Sequence, residues 1–131
     1  MVRERKDATV FTGTYKDHEL IVRKMVWSNE VAKLAPDLND YYCGYVELLS
    51  SDYYYDCLSE AESELKVFGG ITYTSEHGDL PALPLDKKFV GFDTAHASQP
   101  HFTFDTVKQD CFSLIDQIIE RNYDTLTGVL C

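Results

Sequence analysis

The sequence predicts an α+β fold, an antiparallel sheet of about five strands with one long C-terminal helix packed on it. Three observations carry that prediction. From residue 103 to about 122, Val107, Cys111, Leu114, Ile115, Ile118 and Ile119 recur at helical spacing, while Asp110, Asp116 and Glu120 fall on the other faces. Runs rich in β-branched and aromatic residues at 9–15, 19–27, 42–49, 66–74 and 89–93 are separated by turn residues. With 131 residues the chain is long enough to bury a core without metal or disulfide support, so residues 1–131 read as a single domain.

Each element has its own local reason. Lys16, Asp17 and His18 separate the first two runs and predict a hairpin. Ser28 caps a short helix over 29–34, and Pro36 prevents its extension. The third strand spans 42–49, with Tyr45 and Val46 near its centre. Residues 51–64 are ambiguous: Ser51 or Asp52 is a fit cap for a short helix, but the tyrosines and acids show no clear period. The fourth run, 66–74, is interrupted by Gly69 and Gly70, which mark a bulge or a close backbone approach. Gly78, Pro81 and Pro84 make 76–88 the longest evident loop, and a fifth strand follows at 89–93. Thr103 or Asp105 caps the final helix.

Charge narrows the function. The net charge is −10, from 22 acidic and 12 basic residues, and seven of the basic residues lie in the first 33 positions. A broad basic face for nucleic-acid phosphates is therefore not expected, so direct nucleic-acid binding is set aside. No apolar run approaches the roughly 18 residues that a bilayer span needs, and Met1 is followed by charged residues rather than an apolar leader. The four cysteines form no C-x-x-C pair. These features predict a reduced, cytoplasmic protein with no membrane association; they leave its oligomeric state open.

Residues 34–65 contain no lysine or arginine, yet hold Asp37, Asp40, Glu47, Asp52, Asp56, Glu60, Glu62 and Glu64 among Tyr41, Tyr42, Tyr45, Tyr53, Tyr54 and Tyr55. Carboxylates attract basic protein surfaces, and tyrosines supply rigid contact area at low entropic cost. Asp40, Tyr41, Asp52, Tyr53, Tyr54, Tyr55, Asp56 and Glu60 are the candidate partner-binding residues. The competing reading is a solvated acidic loop with core tyrosines.

A second constellation is Gly91-Phe92-Asp93-Thr94-Ala95-His96-Ala97. Asp93 and His96, with Glu47 as a third ligand and His101 nearby, have the chemistry of a divalent-ion site; they assign no cofactor, and a structural zinc is the ion such a site could hold. The alternative is that Asp93 caps the turn and His96 bonds a backbone carbonyl. Nucleophilic catalysis has no comparable support: no G-x-S-x-G elbow is present, and Cys111 lies on the apolar helix face.

Cys43-Gly44-Tyr45-Val46, then Gly69-Gly70-Ile71-Thr72-Tyr73, then Gly91-Phe92-Asp93-Thr94-Ala95-His96-Ala97, then a final helix like T-x-x-Y-V-x-x-E, follow one another in this order. The pattern resembles a family of small proteins encoded by bacteriophages and prophages. The resemblance covers about residues 42–121, and the GFD-x-AHA string is its most specific part. The chain departs from the family at Phe68, where a histidine is frequent, and at Ser98-Gln99, where glycine and aspartate are common. The resemblance implies a phage accessory or counter-defence protein. By analogy with acidic anti-CRISPR proteins, the expected partner is a host defence protein of the Cas9 type, whose nucleic acids lie in positively charged channels. The alternatives are a sponge for a nucleotide defence signal, relying on Lys87, Lys88 and the Gly69-Gly70 turn, and a small metal-dependent hydrolase using Glu47, Asp93 and His96.

Overall fold

The computed structural model describes residues 8–25, 41–67, 69–75, 83–84, 86–94 and 103–124. The elements are β1 (Ala8–Tyr15), β2 (His18–Met25), β3 (Tyr41–Leu48), a 3-10 turn (Tyr53–Asp56), α1 (Leu58–Glu64), β4 (Tyr73–Thr74), β5 (Lys88–Asp93) and α2 (Phe104–Asp124). The five strands form one antiparallel sheet in the order β1-β2-β3-β5-β4. The expected α+β class, with its five strands and its C-terminal helix, is therefore what the chain adopts. The expected helix over 29–34 lies outside the described residues.

The β1–β2 turn is tighter than a three-residue loop. Lys16 and Asp17 both take left-handed backbone angles, φ 48° and 69°, and Tyr15 pairs directly with His18. Two such residues give the turn whose twist matches the flanking strands. His18 consequently opens β2.

The fourth run shortens for a reason visible in the backbone. Gly69 and Gly70 sit at φ 81° and 79°, incompatible with an extended strand, and the Gly70 amide closes a turn on the Val67 carbonyl at 2.9 Å. Only Tyr73 and Thr74 then pair with β5.

Alternation along the strands sorts side chains onto two faces. Leu20, Val22, Val46, Leu48, Val90 and Phe92 meet Val107, Cys111, Leu114, Ile115 and Ile118 of α2 in the main core. The other face carries Ile21, Met25, Cys43, Tyr45 and Phe89, with Leu83. Thr103 caps α2 reciprocally with Thr106: its hydroxyl accepts the Thr106 amide at 3.3 Å, and its own amide donates to the Thr106 hydroxyl at 2.9 Å.

The glycines of the GYV and GFD strings have a packing role. Gly44 lies opposite Phe92, and Tyr45 opposite Gly91, so each ring lies across the glycine of the neighbouring strand. A Cβ on Gly44 would stand 2.6 Å from the Phe92 ring and 2.8 Å from Cys111 Sγ; one on Gly91 would stand 2.5 Å from the Tyr45 ring. These two reciprocal pairs lock the β3–β5 register and let α2 approach the sheet.

Candidate functional site: an acidic face beside a buried clasp

Residues 49–64 leave β3 and reach the C-terminal end of α2, and a buried polar clasp fixes the path. The Asp52 amide donates to the Leu49 carbonyl, while the Asp52 carboxylate accepts the Leu49 amide at 2.8 Å. The same carboxylate takes His18 Nε2 at 2.7 Å and Asn122 Nδ2 at 2.8 Å. Asn122 Oδ1 in turn accepts the Tyr53 amide at 2.8 Å. The clasp therefore ties together the β1–β2 turn, the chain after β3 and the last turn of α2.

His18 is 3% exposed and Asp52 6%. The second imidazole nitrogen, Nδ1, lies 2.7 Å from the Lys16 carbonyl oxygen. Both ring nitrogens thus face acceptors that have no proton to offer, a geometry that only the imidazolium form satisfies. Burial would lower the His18 pKa, but the bonds to Asp52 and to the Lys16 carbonyl outweigh it and raise the value above the usual histidine range. Burial would likewise raise Asp52, but the bonds from His18, Asn122 and the Leu49 amide hold it below the ordinary carboxylate range. No nucleophile joins the pair among the described contacts, and its imidazole is fully engaged.

The clasp removes part of the expected contact face. Asp52 is interior, and Tyr54, 3% exposed, points its ring into the core while its hydroxyl donates to Glu64 at 2.8 Å. Tyr53 is half-buried: its hydroxyl bonds Glu60, and the Arg121 guanidinium lies 4.1 Å from its ring centre. Tyr55 is also half-buried, with Lys88 Nζ 4.1 Å above its ring and donating to its carbonyl at 2.8 Å. Tyr41 sits at the opposite end of β3, against the second core face. Asp40 lies outside the described residues.

What remains at the surface is narrower and more acidic than the eight-residue set. Asp56 is exposed and Glu60 half-exposed; on α1, Glu64 shares the face of Glu60 one turn on, and Glu62 is exposed on another flank. Glu62 and Glu64 are the residues the candidate set omitted. The four-residue spacing of Glu60 and Glu64, with Leu58 and Ala61 buried beneath the helix, was the available signal. Arg121 balances part of this charge through a 3.2 Å contact with Glu64.

The expected metal trio does not assemble. Glu47 pairs with Phe89, and Asp93 lies four steps further along β5, roughly 13 Å away at strand spacing. Glu47 is held elsewhere, accepting the Glu19 amide at 2.9 Å with Lys87 at 3.8 Å. Thr94 ends β5 by bonding the Tyr42 amide and carbonyl through its hydroxyl, at 2.9 and 3.1 Å. His96 and His101 lie outside the described residues, and among those described no three potential ligands cluster.

The cations expected to meet a nucleotide are likewise occupied by the chain itself. Lys87 pairs with Glu19 at 3.4 Å, and Lys88 is committed to Tyr55. Of the cysteines, Cys43 and Cys111 are buried free thiols, and burial pushes Cys111 up to about 12, which suits packing and not attack. Cys57 is disulfide-bonded, a departure from the fully reduced chain expected.

No protein-family model, curated protein or solved structure matches this chain.

Proposed function

We propose that this protein is a phage-encoded, non-catalytic inhibitor that binds a host defence protein, and that the partner is a Cas9-type nuclease. The supporting observation is the surface of the 3-10 turn and α1, where Asp56 and Glu62 are exposed and Glu60 and Glu64 share one helix face, a turn apart. A basic channel built to hold a nucleic-acid backbone is the complement of such a face. Inhibition follows from occupancy: the acidic face takes the place of phosphates, and the folded body blocks access.

The clasp gives that face its rigidity. Asp52 fixes the start of the 3-10 turn, and Tyr54 and Arg121 fix Glu64, so the carboxylates need little ordering when a partner arrives. The site of action is the cytoplasm of the host cell. No helix among the described residues is long and apolar enough to cross a membrane.

The test is to mix the purified protein with guide-loaded Cas9 orthologues and measure complex formation and target cleavage. Stable binding with loss of cleavage supports the proposal. Absence of binding to every orthologue would overturn the Cas9 assignment.

A further inference from the structure

A second surface lies at the other end of α2. Among the described residues β1 is an edge strand, paired on one side only, with β2. Natural edge strands are usually blunted by charge, proline or brevity. β1 has eight residues, none of them charged and none proline, and its one irregularity is the register shift between Thr9 and Phe11.

The hairpin fixes which backbone groups face outward. Tyr15 and His18 flank a two-residue turn and form the hydrogen-bonded pair, so alternation puts the amides and carbonyls of Thr12 and Thr14 on the open side. On the helix side of that edge, aromatic rings of β1 and α2 pack on one another and form a patch. Phe11 and Phe104 meet edge to face at 5.8 Å, and Tyr15 and Phe112 meet at 4.7 Å. All four rings are only partly buried. Phe11 folds over Gly13, where a Cβ would stand 2.7 Å from its ring.

Lys108 lies beside these rings. It lies one helical turn from both Phe104 and Phe112, with Nζ 4.5 Å from the Phe11 centroid and about 6 Å from the other two. Among the described residues it has no carboxylate within ion-pair distance, whereas Lys16 nearby is taken by Asp116 at 2.8 Å. An ammonium over aromatic rings, beside an open strand edge, suits one kind of ligand.

We propose that the β1 edge and its aromatic patch bind an extended peptide segment of a partner protein by strand addition. The segment carries a large apolar or aromatic side chain to pack on the exposed parts of the rings and an adjacent carboxylate for Lys108. Main-chain bonds to Thr12 and Thr14 supply affinity, and the alternate side chains supply selectivity. This surface is separate from the acidic face: Lys108 and Arg121 are thirteen residues apart on α2, roughly 20 Å along the axis. The proposal stands whether or not that face binds Cas9.

The test is a selection of random nine-residue peptides displayed on phage against the whole protein, followed by synthesis of the enriched peptide and measurement of its Kd. The expected consensus pairs an aromatic or large apolar residue with an acidic neighbour. Thr12→Pro removes an outward amide without breaking the β2 ladder, and should weaken the peptide roughly tenfold with the circular dichroism spectrum unchanged. Lys108→Glu, which leaves the backbone edge intact, should shift selection from acidic to basic peptides. Overturning results are no enrichment, or enriched peptides indifferent to both variants. A wild-type dimer that Thr12→Pro converts to monomer would also overturn it, because the edge would then serve a second copy of the chain.

Discussion

Asp52 and Glu62 lie ten positions apart in the same lysine-free stretch, and the fold uses them in opposite ways. Asp52 is buried, accepts bonds from His18, Asn122 and the Leu49 amide, and is held ionised. Glu62 stands exposed on α1. One acid holds the molecule together; the other gives it a charged exterior. An acidic run in a sequence is thus not one feature, and the neighbours that reach each carboxylate decide its role.

The largest expected effect comes from breaking the buried side of this contrast. Asp52→Ala leaves a buried imidazolium and a buried amide without their acceptor, and should cost about 3–5 kcal/mol of stability. Urea denaturation measures it directly. A loss near that of a surface acid would remove the clasp from the account.

The next effect sharpens the contrast through pH. His18 is raised in the folded state, so its contribution is complete below about 6.5 and fades as pH rises through the folded value. Asp52 is lowered, so its contribution is complete above about 3.8 and fades as pH falls through its folded value. The clasp therefore contributes most between those limits and weakens on either side. Thermal melts from pH 3 to 9 should show this dome, and His18→Gln should flatten its alkaline limb.

Smaller effects belong to the surface. Arg121→Ala removes an ion pair and a ring contact, and should cost about 1 kcal/mol or less. Reversing Asp56, Glu60 and Glu62 to lysine should change stability by only about 1 kcal/mol, far less than the single Asp52 change. A larger loss would mean that these acids support the fold, as Asp52 does.

The sequence made one side of this contrast legible. Helical spacing from Val107 to Ile118 placed the face of α2 that is buried, and β-rich runs placed the strands of the hairpin, β3 and β5. The clasp was not legible, because His18, Asp52 and Asn122 are distant in the chain and become neighbours only when α2 lies across the sheet. The region 66–74 read as a strand because its residues have high strand propensity; the left-handed angles of Gly69 and Gly70 override that preference. The packing role of Gly44 and Gly91 was not legible, because the rings that each makes room for belong to the adjoining strand. Asp93 and Glu47 looked like partners by residue type alone, and register places them too far apart to share an ion.

The most direct measurement of the central claim is the affinity of guide-loaded Cas9 for the native protein and for the Asp56→Lys, Glu60→Lys, Glu62→Lys triple variant, at two salt concentrations. Tight binding that weakens with salt is expected for the native face, with a loss of both affinity and salt sensitivity in a variant that still melts cooperatively. Equal affinity and equal salt dependence for the two proteins would contradict it.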